Sequence, residues 1–198
     1  MPRILTIPRP QAPPLPGTGC WLIAALDFLQ SPLWRERAEV EHDESLLQPI
    51  AYLVLLNEEG QAWCYQRAGG DGRLDGRRSC GVGGHVDFAD AQTRAPFDAE
   101  VTLRRALLRE LTEELQATAA DLHALRLRGL IYEGFSAIGR VHLGVLYTAQ
   151  WRNAKPPQPR PHEPLQDLGF IDLADIASDT RFELWSRLAA QYLMDATA

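Results

Sequence analysis

The clearest hydrophobic periodicity in the chain lies between residues 98 and 117. Leucines recur there every four residues, which is the spacing of one face of an α-helix: Leu103, Leu107, Leu111 and Leu115. Asp98 is the predicted N-cap of this helix, and Glu100 falls in its first turn, where the helix dipole favours a negative charge. The pattern predicts an amphipathic helix that packs its leucines against a core.

Apolar runs with the spacing of strands flank this helix on both sides. Residues 50–56 form an uninterrupted apolar run that is typical of a buried strand, and a turn at residues 57–60 leads to a returning strand. The other predicted elements are strands at 61–67, 79–86, 125–133, 140–151 and 168–171, and a second amphipathic helix at 180–194. This order predicts an α/β fold, a mixed β-sheet with helices on both faces in an α/β/α sandwich.

The first 48 residues differ in composition from the remainder. Residues 2–17 hold six prolines and are predicted to form an extended arm. A short helix is expected over residues 20–30, and residues 34–44 are charged enough to indicate a surface segment. We therefore expect an N-terminal arm and short helix (residues 1–48) packed on one catalytic-type domain (residues 49–198).

Composition narrows the class of protein. The 198 residues carry a formal net charge of −6, which argues against general nucleic-acid binding because that needs a basic surface. The three cysteines show no metal-ligand spacing, so a reduced, cytoplasmic protein is expected. The longest early apolar run, residues 20–29, is too short to span a bilayer, and the proline-rich start does not resemble a signal peptide.

Carboxylates cluster on the predicted helix behind a glycine-rich strand. Glu110 and Glu114 lie one turn apart on the same helical face, and Glu113 lies one step round. Like charges at this spacing destabilise a bare helix. A hard divalent cation such as Mg²⁺ takes oxygen ligands and relieves that repulsion, so the arrangement indicates a metal site for phosphate chemistry.

These residues resemble the Nudix box, the signature of the Nudix hydrolase superfamily. That signature reads Gly, five residues, Glu, seven residues, then Arg-Glu-apolar-any-Glu-Glu-any-Gly-apolar. The residues that fit its two halves are Gly84, Arg109, Glu110, Leu111, Glu113 and Glu114. The chain departs from it in three ways: the gap is about eleven residues too long, the closing glycine is Gln116, and the first glutamate is displaced. The long gap is similar to that of an uncharacterised branch of predicted phosphoesterases.

The resemblance implies a Nudix fold, which has the α/β/α architecture predicted above, and Mg²⁺- or Mn²⁺-dependent hydrolysis. Its expected substrate is a small molecule, a nucleoside diphosphate linked to another group. By resemblance, Glu110 and Glu114 would be the main metal ligands and Glu113 a further one. The carbonyl of Gly84 would complete the metal shell, and Arg109 would orient a glutamate.

The residue that activates water is left open by the sequence. Glu113 is one candidate; the others are Glu100, Asp90 and Glu133, the last at a strand end before a glycine turn. Glu100 and Asp90 are also the candidates for the displaced first glutamate. Because Glu100 precedes Glu110 by nearly three helical turns, we expect Glu100, rather than Asp90, to lie nearer the Glu110–Glu114 site.

Arginines near the glycine strand are candidates for binding substrate phosphates. The cluster comprises Arg73, Arg77 and Arg78, and Arg67 and Arg140 are further candidates. His85 and His142 are expected to be structural.

Two other classes of function stay open. A Nudix-like nucleotide-binding or regulatory domain without activity would explain the displaced glutamate and Gln116. Isopentenyl-diphosphate isomerases share the Nudix fold and use a cysteine just before the glycine-rich region. In this chain Cys80 lies four residues before Gly84, although the motif that surrounds the isomerase cysteine is missing. A homodimer is also left open, since the proline-rich arm is long enough to reach a second subunit.

The extra length of the box falls in residues 87–96, between the glycines and the helix. Loops in such positions are commonly lids or specificity elements. We expect the rings of Phe88 and Phe97 to fix the two ends of this loop. Deletion of residues 91–95 is then expected to change substrate preference or KM more than thermal stability.

Overall fold

A computed structural model describes residues 3–69, 76–91 and 96–196. The described strands are β1 (Arg3–Pro8), β2 (Gly19–Trp21), β3 (Leu33–Glu36), β4 (Leu46–Leu56), β5 (Ala62–Arg67), β6 (Arg78–Ser79), β7 (Gly81–His85), β8 (Leu122–Tyr132), β9 (His142–Trp151) and β10 (Leu165–Ile171). The described α-helices are α1 (Arg37–Val40), α2 (Ala99–Glu114), α3 (Ala137–Val141), α4 (Leu173–Ser178) and α5 (Leu184–Asp195). None of these helices is long and apolar enough to cross a membrane.

The sheet is mixed, as predicted, and β4 is at its centre. The strand order is β10-β5-β4-β9-β8-β2, and β4 pairs with β9 in parallel from Gln48–His142 to Leu56–Gln150. The other described strand pairs are antiparallel. On its second edge β4 pairs with β7, from Ile50–His85 to Val54–Gly81. The glycine strand is therefore held against the most buried strand of the sheet.

Both faces of the sheet are covered, which gives the predicted sandwich. Alternate residues of β4 point to opposite faces: Leu53 and Leu55 belong to one apolar cluster, Tyr52 and Val54 to the other. The four leucines of the α2 stripe are buried in the first cluster, and residues of α4 and α5 fill the second. Burying a leucine side chain contributes about 2 kcal/mol, so this stripe alone accounts for the position of α2.

The predicted helix at residues 20–30 is wrong. Gly19–Trp21 is instead β2, which pairs with β8, and only Asp27–Leu29 forms a 3-10 turn. A short apolar run fits a strand and a helix equally well, so the partner strand decides its conformation. The proline-rich start is also more than an extended arm, because β1 pairs with β3 and β4 and buries Ile4, Leu5 and Ile7.

The predicted anchoring of the inserted loop by two rings is confirmed. Phe88 and Phe97 both pack edge-on against Trp34, with ring centroids 5.2 Å and 6.3 Å from it. Trp34 belongs to β3, so residues 34–44 are not simply a charged surface segment. Residues 92–95, the middle of the loop, lie outside the described residues.

Candidate active site

Two glycines of β7 let the strand approach its neighbours without side chains in between. A Cβ on Gly83, whose φ is +155°, would lie 1.8 Å from the carbonyl oxygen of Ala51 on β4. A Cβ on Gly84 would lie 2.5 Å from Oε1 of Glu110. Glycine is therefore required at Gly83, and at Gly84 the missing Cβ lets the Glu110 carboxylate lie directly against the strand.

Arg109 connects α2 to the loop before it. Its guanidinium donates to both carboxylate oxygens of Asp90 at 3.1 and 3.0 Å and to the carbonyl of His85 at 2.8 Å. It also donates to Glu110 Oε1 at 2.8 Å and to Glu113 Oε2 at 3.0 Å. The bidentate contact with Asp90 fixes the plane of the guanidinium, so Arg109 orients Glu110 as the sequence motif implied.

The expectation that Glu100 would lie nearer the site than Asp90 is wrong. Asp90 is buried and shares the guanidinium of Arg109 with Glu110, whereas Glu100 is exposed and bonds Arg104 on the outside of the helix. Asp90 ends a 3-10 turn, Phe88–Asp90, closed by a bond from the Asp87 amide to the Asp90 carboxylate. The loop folds back onto α2 because this turn presents the Asp90 carboxylate to Arg109. Helical spacing could not predict this contact, since Asp90 lies outside the helix.

The side chains of Glu110 and Glu114 project from α2 into a partly buried environment. Burial is the main cause that raises the pKa of both carboxyls, and for Glu114 it raises the pKa to about 8. Arg109 opposes this rise at Glu110, and Arg67 opposes it at Glu114. Oε2 of Glu114 is buried and has no hydrogen-bond partner among the described residues. A buried carboxylate oxygen of this kind is normally paired with a cation or protonated.

These side chains open into a cleft of about 810 Å³. Carboxylates line it from several elements: Glu41, Asp87, Glu110, Glu114, Glu133 and Glu183. Arginines that line it are Arg37 and Arg67. The acids outnumber the arginines, so the cleft has a local excess of negative charge that favours cations.

The residues present fit a divalent metal ion. The donors are carboxylate oxygens, Gly84 leaves room beside Glu110, and one oxygen of Glu114 is unpartnered. Within the described ranges, no three His, Cys, Asp or Glu side chains are already grouped as a metal cage. Mg²⁺ suits such an incomplete site, because it keeps several waters and binds through one or two carboxylates plus substrate phosphates.

The other predicted site acids lie in different settings. The side chain of Glu113 is 57% exposed and pairs with Arg109, and it does not line the cleft. Glu133 does line the cleft and is 7% exposed. Its carboxylate accepts hydrogen bonds from the amide and hydroxyl of Ser136, in the turn that begins α3.

His85 and His142 lie against each other in the wall of the cleft, with ring centroids 5.2 Å apart. His142 Nδ1 lies 2.8 Å from the carbonyl of Ile138, which can only accept, so this nitrogen donates. His85 Nε2 lies 2.9 Å from Gln48 Oε1 and 3.2 Å from His142 Nε2. Burial, chiefly, lowers the pKa of His85 to about 3, so this imidazole stays uncharged.

Two of the predicted phosphate-binding arginines, Arg77 and Arg78, do not line the cleft. Arg77 donates to the carbonyl of Thr180, and Arg78 forms an ion pair with Asp179 at 3.2 Å. Both side chains point to the segment before α5, because β6 lies beside that segment. Arg73 lies outside the described residues. Arg67, one of the additional candidates, does line the cleft.

Two of the charged cleft residues that sequence reasoning missed are Arg37 and Glu183. Arg37 lies in the segment interpreted as charged surface, and Glu183 is the N-cap of α5, far from the motif. Neither has a local sequence signal, because each reaches the cleft only through the packing of its element. Cys80, by contrast, is buried and outside the cleft lining, and burial raises the pKa of its thiol to about 12. An isomerase role for this thiol is therefore disfavoured.

Comparison with known proteins agrees with this geometry. The chain is 31% identical over 162 residues to Protein YmaB of Bacillus subtilis, spanning 79% of this chain and 76% of that protein. The crystal structure of Tm1382, a candidate Nudix hydrolase, superposes with a TM-score of 0.77 and 25% identity, covering 98% of this chain and 99% of the other. No family model matches the sequence.

The fold is shared more widely. The Nudix domain of Shewanella oneidensis NrtR, whose structure contains ADP-ribose, aligns with a TM-score of 0.50 and 17% identity over 77% of this chain and 89% of that one. The protein belongs to the Nudix superfamily, in the family of Protein YmaB. The narrower resemblance to the predicted-phosphoesterase branch stays a prediction.

Proposed function

We propose that the protein is a Mg²⁺- or Mn²⁺-dependent pyrophosphohydrolase that cleaves the diphosphate of a nucleoside diphosphate linked to another group. The observation that carries this proposal is the buried, unpartnered Oε2 of Glu114 beside Glu110 in a large acidic cleft. Such an oxygen is costly unless a proton or a cation occupies it. A divalent ion also explains how an acidic cleft would accept a phosphate-rich substrate.

Roles for the chain's own residues follow from their positions. Glu110 and Glu114 would hold the metal, with the carbonyl of Gly84 as a further ligand. A bound metal supplies polarisation of a phosphoryl oxygen and a lower pKa for coordinated water. Arg109 fixes the Glu110 carboxylate, to which it donates at 2.8 Å. Glu113 as a further ligand stays a prediction, because its carboxylate faces Arg109 outside the cleft lining.

The cleft also suggests how the substrate is oriented. The charge of Arg67 lowers the pKa of Glu114 against the effect of burial, which supports a position of its guanidinium near the proposed metal site. Arg37 is exposed and also lines the cleft, and after Arg109 it lowers the pKa of Asp87 against the effect of burial. The two guanidiniums would bind the phosphates of the substrate.

ADP-ribose is a suitable first substrate, because a Nudix domain of the same fold has been crystallised with it. The test is hydrolysis of a panel of nucleoside diphosphate derivatives with Mg²⁺, with Mn²⁺ and with a chelator. Metal-dependent release of a nucleoside monophosphate from at least one compound is expected. Nucleotide binding without release of product from any compound would favour the inactive binding domain instead. The cytoplasmic location and the homodimer stay predictions.

A further inference from the structure

A second fixed carboxylate faces the cleft from outside the sequence motif. Glu183 precedes α5, on the opposite side of the sheet from α2, and its side chain lines the cleft together with Glu110 and Glu114. The charge of Glu183 is the last of the causes, after burial, Glu110 and Glu163, that raise the pKa of Glu114. The two acids therefore share one electrostatic environment.

Three buried hydroxyls surround one oxygen of Glu183. Oε1 lies 2.6 Å from Ser79 Oγ, 3.2 Å from Tyr52 Oη and 3.2 Å from Ser186 Oγ. The backbone amide of Glu183 donates to the carbonyl of Arg78 at 2.9 Å. Ser79, Tyr52 and Ser186 are almost completely buried and come from three different elements. The rotamer of Glu183 is thus fixed by the sheet and by α5 together.

The second oxygen of Glu183 is available for a ligand. Among the residues that the structure describes, Oε2 has no hydrogen-bond or ion-pair partner, while Oε1 has three hydroxyls. A carboxylate held at one oxygen and open at the other is suited to accept a proton from a bound water.

Glu133, the other cleft acid outside α2, is placed differently. Both of its oxygens lie 3.3 Å from the Ser136 amide, and Oε1 also accepts from the Ser136 hydroxyl. A Cβ at Gly139 would lie 1.4 Å from Oε1, so this carboxylate is packed against α3. Glu133 therefore closes the turn before α3, and its oxygens are already engaged.

We propose that Glu183 is the general base of the reaction, with Tyr52, Ser79 and Ser186 as the residues that position it. This inference rests on the proposed function. The O–H bond of water breaks, the proton moves to Oε2 of Glu183, and the oxygen of the water forms a bond to phosphorus. The bond from that phosphorus to the bridging oxygen breaks, and its electron pair leaves with the departing phosphate.

The test compares Glu183→Gln with Glu133→Gln on the best substrate of the panel. Glu183→Gln is expected to lower kcat by roughly 10²- to 10⁴-fold, the usual contribution of a general base. KM, Mn²⁺ affinity by calorimetry and melting temperature should change little, because the amide keeps the shape of the side chain. Glu133→Gln is expected to lower kcat by less than Glu183→Gln, because the oxygens of Glu133 already accept hydrogen bonds from Ser136.

Two further variants separate catalysis from a structural role. Tyr52→Phe removes one hydroxyl from Oε1 and should lower kcat by less than Glu183→Gln at unchanged KM. Glu183→Ala should regain part of its rate when formate is added, because a small carboxylate can occupy the vacated space. Full activity of Glu183→Gln, or loss of Mn²⁺ binding in it, would overturn the assignment. A wild type that hydrolyses no diphosphate would overturn the proposed function as well.

Discussion

The glutamates of α2 occupy two different environments on one helix. Glu114 is buried with one oxygen unpartnered, and Glu110 lies against the glycine strand. Glu100 and Glu113 have side chains that are 58% and 57% exposed, and each pairs with an arginine of the same helix. The chemistry of these four identical side chains is therefore decided by where the helix meets the sheet. Of these four, Glu110 and Glu114 line the cleft, where we propose that a metal ion binds.

The two arginines that pair with these acids differ in the same way. Arg104 forms an ion pair with Glu100 at 2.9 Å on the surface of the helix. Arg109 joins Asp90, Glu110, Glu113 and the His85 carbonyl in one network, and its side chain is 25% exposed. The Arg104–Glu100 surface pair is expected to contribute little to the free energy of unfolding. The Arg109 network, in contrast, connects the helix to the inserted loop.

The largest expected effect tests the contrast between the inner glutamates of α2, Glu110 and Glu114, and the outer ones, Glu100 and Glu113. Glu114→Gln should lower hydrolytic activity by more than about 100-fold, since even residues behind metal ligands often cost that much. It should also weaken Mn²⁺ binding, measured by calorimetric titration, while circular dichroism stays unchanged. Glu100→Gln is the matched control and should leave both properties intact. Unchanged Mn²⁺ binding in Glu114→Gln would show that the inner acids are not the metal site.

The next prediction concerns the two arginines. Arg109→Ala leaves the buried Asp90 carboxylate without its cation, which should lower the free energy of unfolding by about 3 kcal/mol. Arg104→Ala removes only an exposed pair between residues four apart and should cost less than about 0.5 kcal/mol. Urea denaturation of both variants measures the difference. Equal losses would mean that the Asp90 network does not stabilise the loop.

A pH experiment on chelator-treated protein tests the environment of Glu114. The pKa of its carboxyl is raised from 4.5 to about 8 in the fold, mainly by burial, so the protonated form is the stabilising one. The stabilising contribution of the protonated carboxyl is complete below the pKa of 4.5 in the unfolded chain. It is lost as the pH rises through the pKa of about 8 in the folded protein. The wild type should therefore lose stability relative to Glu114→Gln across this interval, by at most about 1.4 kcal/mol per pH unit. A difference that does not vary with pH would contradict the burial of an ionisable Glu114.

The smallest expected effect is at Glu113. Its carboxylate accepts one hydrogen bond from Arg109 and lies outside the cleft lining, so Glu113→Gln should lower kcat by less than about tenfold. Initial rates at saturating Mn²⁺ measure this change. A loss as large as that of Glu114→Gln would mean that Glu113 turns inward on metal binding, as the family motif implies.

Much of the fold could be predicted because its signals are local. The leucine period predicted α2 with Asp98 as its cap, and Asp98 does accept from the Val101 amide. Long apolar runs predicted the central strands, because such runs indicate a buried strand whichever strand it pairs with. The helix predicted over residues 20–30 was wrong, because β2 is only three residues long and its pairing with β8 decided the conformation there.

The sequence by itself determined the composition of the site near the motif: a glycine strand, and a helix with Glu110 and Glu114 on one face. Helical geometry fixes these relations within a few residues. The tertiary structure decided which acids join them. Asp90 reaches Arg109 through a folded-back turn, and Glu183 reaches the cleft from α5. Such contacts depend on how distant segments pack against both faces of one sheet, and that packing leaves no periodic signal in the chain.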